Sequence, residues 1–456
     1  MDPRKIKGSV VSPRHYFEQV PWLRVYLTIS VVLELFDQYL NWREMRRCQR
    51  VLAARRAGKP VCDERLKQVC SQEDIVKTAS YTCDRLRFRM FTSIFESTLS
   101  LVATAYYFGP FIWRLSTRLL SAAATYPHFP APVNEYTHSL LYLGIHFFLH
   151  EIIQTPFQLY GDFVVEERHG FNKKTLGLFV KDKILGCLIT TVIGCPIVCA
   201  CIWLVKWGGS NFYLWLWGFS VVVTVLLVAI YPNVIAPLFN KFEPLKDEEL
   251  HKDVDELAKQ LEFPLGKLYQ MDGSKRSSHS TAYFYGFWWS KQIVFYDTLL
   301  HLPRRQILAV LGHEMGHWKL NHTVKVMMVS FLQLFCVFYL FSLVMESDQL
   351  FNEFGYTDTR ASIVGLKLFS NIFVPVNAVV LLLMTIWSRH NEYEADAFAT
   401  SLGYGEDLKA ALLAVHVENK TDPDPDPWYS WWNNHHPSLV ERMNAIDALL
   451  KHKKRA

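Results

Sequence analysis

Several common signatures are absent from this chain of 456 residues, and each absence narrows what the protein can be. Its nine cysteines show no C-x-x-C spacing and do not suggest a disulfide framework. The 48 Lys and Arg residues outnumber the 43 Asp and Glu residues by only five and form no concentrated basic stripe, so nucleic acid is not an expected partner. The chain also has no internal repeat and no extended low-complexity tract.

The first 20 residues are polar and lack the apolar core of a cleavable signal peptide, so we expect the first hydrophobic segment to act as a membrane anchor. The chain is rich in hydrophobic residues, which make up half of it, and its mean hydropathy is slightly positive. About 20 apolar residues span the hydrocarbon core of a bilayer. The sequence predicts seven spans, with six or eight as alternatives, at Trp22–Leu40, Phe91–Trp113, Leu140–Phe157, Ile184–Trp207, Phe212–Phe239, Val324–Met345 and Ile363–Trp387.

Some of the predicted spans contain ionisable side chains, which are costly in hydrocarbon and usually face a bundle interior or a water-filled cavity. They are Glu34, Asp37, Glu96, His146, His150 and Glu151. This pattern favours a bundle with a polar interior, although side chains at span ends can instead extend to the membrane surface.

Loop charges predict the orientation of the spans, because cytoplasmic loops carry the excess of Lys and Arg. Loop 43–90 and segment 168–181 are basic, whereas segment 346–358 is acidic, which predicts a lumenal N-terminus. The predicted organisation is a five-span membrane bundle over 1–239 with loop 43–90 in the cytosol, a cytosolic unit over 240–323, two further spans over 324–387 and a cytosolic C-terminal domain over 388–456.

The most specific motif is H-E-x-x-H at residues 313–317. On a helix, positions i and i+4 share one face, so His313 and His317 can bind one metal ion, for which zinc is the expected choice. Glu314 lies beside the first ligand and can act as a general base toward water that the metal activates. A chance match on an amphipathic surface helix is the competing interpretation, but the apolar residues at 307–311 favour a genuine helix.

The chain around this motif predicts a small unit of mixed secondary structure. Residues 247–261 carry apolar side chains at helical spacing, and 283–287 and 292–296 are rich in β-branched and aromatic residues on either side of a turn. An edge strand beside a zinc-binding helix commonly holds a peptide substrate extended by strand addition.

Two histidines leave a zinc site in need of a third protein ligand. The candidate is Glu392, just past the last predicted span; Asp396 shares its helical face, while Glu394 is expected to point away. A solvated acidic helix start is the alternative for this segment alone. The unpaired H-E-x-x-H on the same side of the membrane favours the ligand.

These motifs resemble those of the type I CAAX prenyl proteases, integral-membrane zinc endopeptidases that process farnesylated proteins. The resemblance covers most of the chain and includes 166–172, 237–242, 273–280 and 436–442. It implies an all-α polytopic membrane protein with about seven long helices around a water-filled chamber, and a small α+β cytosolic zinc-protease unit. The implied activity is removal of the last three residues after an isoprenylated cysteine, with a second upstream cleavage in some substrates.

The resemblance also implies three ligands for one Zn²⁺ ion: His313, His317 and Glu392. It makes Glu314 the general base and Asp396 a proton donor or an orienting partner for a ligand histidine. His436 and Arg442 would stabilise the oxyanion of the tetrahedral intermediate. One position departs from the family pattern, because Thr281 stands where Asn is usual and its single hydroxyl offers fewer hydrogen bonds to a docked substrate strand.

The implied partners are prenylated protein or peptide C-termini and membrane lipid, and the oligomeric state is open. Two other functions remain open: a membrane quality-control protease for unmodified substrates, and a non-catalytic paralogue that handles lipid or scaffolds a membrane. An intramembrane site-two type of protease is disfavoured, since the zinc motif lies between spans. Lys453 and Lys454 resemble a retrieval signal for the endoplasmic reticulum, with the nuclear inner membrane as a further expected location; a solvated basic tail is the alternative.

Overall fold

The computed structural model describes residues 19–61, 70–125, 132–279, 282–287 and 290–455. Within them the protein is mostly helical, with one small sheet. The helices are α1 (Trp22–Arg56), α2 (Gln72–Ala105), α3 (Phe108–Ala124), α4 (Glu135–Tyr160), α5 (Leu176–Trp207), α6 (Phe212–Ile230), α7 (Ala236–Phe239), α8 (Glu248–Leu261), α9 (Arg304–Lys319), α10 (His322–Val344), α11 (Asp348–Glu353), α12 (Ser362–Ile372), α13 (Val374–Ala399), α14 (Gly405–Glu418), α15 (Pro427–Asn433) and α16 (Leu439–Arg455). The strands are β1 (Phe242–Pro244), β2 (Leu265–Met271), β3 (Ala282–Phe287) and β4 (Ser290–Tyr296).

Three helical stretches in the described part of the chain are long and apolar enough to cross a membrane: α5, Gly209–Phe239 and α10. They correspond to the fourth, fifth and sixth predicted spans, which are confirmed by length and composition. The seventh predicted span falls on α12 and the start of α13, two helices that meet at an angle of 61° and together have the same apolar character. It is therefore a broken span or a re-entrant loop, and a total of seven spans stays a prediction.

The first predicted span is part of a much longer helix. Helix α1 has 35 residues and so a length of about 50 Å, well beyond the roughly 30 Å of a hydrocarbon core. Its C-terminal part, like the N-terminal part of α2, occupies what the charge pattern predicts as the cytosolic loop 43–90.

The second predicted span is wrong as a single helix. Helix α2 ends at Ala105, and α3 begins at Phe108 after Tyr107, which has a left-handed φ of 55°. Pro110 explains why a new helix starts here, because proline suits the first turn of a helix but disrupts its interior. The third predicted span lies within α4.

The small sheet has the strand order β1-β2-β4-β3. Strands β3 and β4 form the predicted antiparallel hairpin, with Tyr283 opposite Val294. Strand β2 runs parallel to β4, and β1 pairs antiparallel with β2, which the residue patterns did not predict. Strand β3 therefore lies at one edge of the sheet.

Helices α8 and α9 share one hydrophobic core with this sheet. The side chain of Asp247 caps α8 by accepting a hydrogen bond from the backbone N–H of Leu250, which confirms the predicted helix start. Buried residues of α8, β4 and α9, among them Val254, Phe295 and Ile307, belong to the same cluster. This packing fixes α9 beside the hairpin, while its other side faces α13.

Candidate metal centre

Three side chains from α9 and α13 bring their donor atoms together. The Nε2 atoms of His313 and His317 are 3.1 Å apart. The carboxylate of Glu392 places Oε2 3.5 Å from Nε2 of His313 and Oε1 3.3 Å from Nε2 of His317. All three ligand atoms lie within 4.8 Å of one another, which is a spacing that one metal ion can bridge. Two imidazoles and a carboxylate form the donor set of a catalytic metal site with one position left open.

The close approach of α9 and α13 depends on a glycine. A Cβ on Gly316 would lie 3.2 Å from Cβ of Phe398 and 3.3 Å from Cα of Ala395. Because these contacts are tighter than ordinary packing, only a residue without a side chain lets the two helices sit this near each other. The motif residue between the two histidines thus sets the distance from which Glu392 reaches them.

The electrostatics at Glu392 fit a bound cation. Its side chain is almost fully buried, and Oε2 accepts no well-aligned hydrogen bond from the described residues, although Nδ1 of His436 lies 2.9 Å away. Burial alone would raise the pKa of Glu392, but the histidines around it hold that pKa well below its usual range. Nη1 of Arg442 supplies a positive charge 3.4 Å from Oε2, but this buried oxygen still lacks a hydrogen-bond donor among the described residues. A buried carboxylate oxygen of this kind beside imidazole nitrogens fits a bound metal ion.

On the side of His313 that faces away from the donor cluster lies the ion pair of Asp396 and Arg442. Nδ1 of His313 is 2.8 Å from Oδ1 of Asp396, and Asp396 accepts two hydrogen bonds from Arg442. Burial lowers the pKa of His313, but the hydrogen bonds to Asp396 and Glu392 more than compensate and raise it to about 9. Asp396 is therefore positioned to orient a ligand histidine, and Arg442 is occupied by carboxylates.

Glu314 and His436 flank the donor atoms without belonging to them. Burial raises the pKa of Glu314, with His313 and His317 acting in the opposite direction. A raised pKa makes this carboxylate a better proton acceptor than an ordinary glutamate. The side chain of His436 is 68% exposed, so it borders the open side of the site.

The residue patterns do not predict one contact at the site, the link from His317 through His322 to Glu394. Nδ1 of His322 lies 2.9 Å from Nδ1 of His317, and Nε2 of His322 lies 3.0 Å from Oε2 of Glu394. Glu394 is partly exposed, in agreement with its expected outward direction, but it reaches the site through His322. His322 begins α10, so the helical period that singled out His313 and His317 gives no signal for it.

The structure also joins two motifs that carry the family resemblance. The backbone N–H of Ser278 donates to the carbonyl of Phe171, and the ring of His279 stacks on Phe171 at 4.2 Å between centroids. Arg276 hydrogen-bonds both carboxylate oxygens of Asp182 at 3.0 and 2.9 Å. These contacts hold residues 276–279, which precede β3, against Phe171 and the N-terminal part of α5. Thr281 lies outside the described residues.

Comparison with known proteins shows which family the chain belongs to. Residues 49–241 match a family profile described as the CAAX prenyl protease N-terminal region with five membrane helices, and residues 244–450 match peptidase family M48. The CAAX prenyl protease 1 homolog of Arabidopsis thaliana is 38% identical over 94% of this chain and 98% of its own. The chain belongs to the CAAX prenyl protease family of M48 peptidases. The CAAX prenyl protease 1 homolog of Homo sapiens is 36% identical over 85% of this chain and 89% of its own.

A solved structure of the family has the same fold. The crystal structure of S. mikatae Ste24p superposes with a TM-score of 0.85 and 33% identity, covering 94% of this chain and 99% of that one. Membership in M48 confirms the predicted enzyme class, a metallopeptidase, and the resemblance drawn from the sequence motifs. The match to the N-terminal profile with five membrane helices, together with the apolar helices of this structure, confirms that the protein is a polytopic membrane protein.

Proposed function

We propose that this chain is a membrane zinc metalloendopeptidase that removes the three C-terminal residues of farnesylated CAAX proteins. The observation that carries this proposal is the cluster of His313, His317 and Glu392, present in a chain that matches CAAX prenyl proteases over almost its whole length. An intact donor set and an adjacent glutamate speak against a non-catalytic paralogue.

Zinc suits two imidazoles and one carboxylate, and when bound it lowers the pKa of water and polarises a peptide carbonyl. Glu314 accepts the proton from the attacking water and passes it to the leaving amine. His436, on the open side of the site, donates a hydrogen bond to the oxyanion that develops on the scissile carbonyl. Arg442 contributes through Asp396, which holds the ring of His313, because its guanidinium is already paired with carboxylates.

The substrate would bind along the free edge of β3. One side of this strand pairs with β4, and the other side has no neighbouring strand in the described sheet. An extended peptide that adds to this edge has its backbone held in register, which leaves specificity to the prenyl group. We place that group in the bilayer or against the apolar wall of a water-filled chamber between the membrane helices.

A polar chamber is supported by the hydrogen bonds that side chains of a neighbouring helix donate to an acidic residue in the first predicted span. Glu34 of α1 accepts hydrogen bonds from Ser93 at 2.9 Å and from Ser97 at 2.6 Å, both on α2. Charged groups in spans usually face such an interior.

The catalytic side would be cytosolic, and the membrane would be that of the endoplasmic reticulum, with the nuclear inner membrane as a second location. A glycosylation scan tests this: modification of a sequon engineered near residue 50, and none near 357, would overturn the orientation.

The decisive experiment compares two synthetic peptides that end in the same CAAX sequence and differ only in farnesylation of the cysteine. Purified protein should cleave the farnesylated peptide directly after the modified cysteine, as mapped by mass spectrometry, and Glu314→Gln should not. Equal cleavage of both peptides would favour a quality-control protease instead. No cleavage of either by metal-loaded protein would favour the non-catalytic paralogue. A longer farnesylated substrate shows whether an upstream second cut occurs.

A further inference from the structure

The two nitrogens of His317 face different neighbours. Nε2 points to the donor cluster, at 3.1 Å from Nε2 of His313 and 3.3 Å from Oε1 of Glu392. Nδ1 points the other way, to Nδ1 of His322 at 2.9 Å. His322 is 3% exposed, and its second nitrogen lies 3.0 Å from Oε2 of Glu394.

When the rings of His317 and His322 are both neutral, hydrogen-bond chemistry allows only one arrangement of protons along the chain from His317 through His322 to Glu394. A nitrogen that binds a metal offers its lone pair, so Nε2 of His317 carries no proton and Nδ1 must carry one. That proton is donated to Nδ1 of His322, which must then accept. The proton of His322 is consequently on Nε2, where it is donated to Glu394. Each group thus fixes the tautomer of the next.

We propose that His322 and Glu394 are positioning residues, which fix the tautomer and ring orientation of His317 for metal binding. This inference rests on the metal site of the proposed function. The arrangement parallels that of the other ligand histidine, because His313 has its Nδ1 against Asp396. Each ligand imidazole therefore has its own carboxylate. For His313 the carboxylate is the buried Asp396, which contacts the ring directly. For His317 it is the partly exposed Glu394, which acts through the ring of His322.

The chain places His322 by a sharp turn between two helices. Helix α9 ends at Lys319, and α10 begins at His322. Between them Asn321 adopts a left-handed φ of 57°, a conformation that asparagine tolerates better than most residues. The turn brings the ring of His322 to 5.1 Å from that of His317, nearly edge to face. His322 then lies between the metal ligand and α13, where Glu394 is located.

Partners of this kind that stand behind metal ligands typically change metal affinity by about 10- to 100-fold when they are removed. The test measures zinc affinity of the full chain in detergent by competition with a chromophoric chelator, and the visible absorption of the Co²⁺-substituted protein. His322→Phe retains an aromatic ring but no acceptor, and should weaken zinc binding by about 10- to 100-fold. Glu394→Ala, at a partly exposed position, should weaken zinc binding less but measurably.

Conservative variants distinguish positioning from packing. Glu394→Gln keeps an oxygen acceptor for His322 and should bind zinc nearly as well as the parent. His322→Asn keeps an acceptor close to the position of Nδ1 and should recover part of what His322→Phe loses. The matched control is His390→Ala, since Nε2 of His390 lies 3.6 Å from the other oxygen of Glu394 but its side chain is 67% exposed and on the outer surface.

The proposal is overturned if His322→Phe and Glu394→Ala bind zinc as the parent does, with the Co²⁺ spectrum unchanged. It is also overturned if Glu394→Gln is as impaired as Glu394→Ala, or if His390→Ala has the same effect. A parent protein that binds neither zinc nor Co²⁺ refutes the proposed metalloprotease itself, so the two failures are distinguishable.

Discussion

Arg442 and Asp396 form a buried, bidentate ion pair behind the candidate metal site. Nε of Arg442 donates to Oδ2 of Asp396 at 2.8 Å, and Nη2 donates to Oδ1 at 2.6 Å. Both side chains are nearly inaccessible to solvent, and Nη1 of Arg442 lies 3.4 Å from Oε2 of Glu392. A planar guanidinium bound in this way holds the carboxylate plane of Asp396, and through it the ring of His313.

Arg442→Ala should therefore destabilise the protein severely. The substitution leaves Asp396 and Glu392 without their buried counter-charge. Removing one partner of a buried ion pair lowers the free energy of unfolding by about 3–5 kcal/mol. Thermal unfolding in detergent should show a large fall in midpoint, with weaker metal retention. Arg305→Ala is the control, because Arg305 also pairs with an aspartate, Asp407, but at the surface. Equal small effects of both substitutions would contradict the assigned role.

The two glycines of the motif helix should respond differently to alanine. A Cβ on Gly312 would meet its nearest neighbour at 3.7 Å, an ordinary contact, so Gly312→Ala should be neutral or gain up to about 1 kcal/mol from helix propensity. On Gly316 the same methyl group meets Phe398 and the backbone of Ala395 at 3.1–3.3 Å. Gly316→Ala should push α13 away from α9 and lower metal affinity and peptide cleavage. Unchanged cleavage in Gly316→Ala would show that the helices can separate without loss.

Metal binding and proton transfer should be separable in the motif itself. His317→Ala should lose bound zinc and activity together, since one of three ligands is gone. Glu314→Gln should retain zinc while the cleavage rate falls by about 10²–10⁴-fold, because only the general base is lost. Elemental analysis of each purified variant, combined with the farnesylated-peptide assay, makes the comparison. Zinc-free Glu314→Gln would rule out the role assigned to Glu314.

A pH-dependent stability is expected at the contact between α1 and the loop before α15. Glu44 is fully buried, and burial, together with nearby Asp422, raises its pKa to about 8 despite the hydrogen bond from the backbone of Asp426 and the charge of Arg47. A carboxyl with a raised native pKa binds a proton that the unfolded chain has released. The native state therefore loses stability as the pH rises from about 4.5 to about 8.

Glu44→Gln removes this titration and keeps an acceptor for the backbone of Asp426. The substitution should raise the unfolding temperature at pH 8.5 relative to the parent, and the gain should shrink toward pH 5. Unfolding midpoints across that range provide the measurement. A gain that is the same at every pH would mean that Glu44 does not titrate in this window.

Local sequence patterns were sufficient for a large part of the site. The spacing of His313 and His317 places both on one helix face, and the step from Glu392 to Asp396 does the same on another helix. The amphipathic α8 and the hairpin of β3 and β4 were likewise predicted, because helical and strand periodicity are properties of neighbouring residues. The family resemblance added His436 and Arg442, which no periodicity indicates.

The tertiary structure decided what depends on contacts between distant segments. His322 and Glu394 are 72 residues apart, and their link to His317 exists only because the Asn321 turn and the packing of α9 on α13 bring the three together. Strand β2 joins the sheet through a parallel pairing with β4, which leaves no turn signal in the chain. The residue types alone determine which atoms can bind a metal, because metal binding by a donor atom is the chemistry of single residues. Folding alone determined what stands behind each ligand, because that depends on which helices pack and how closely.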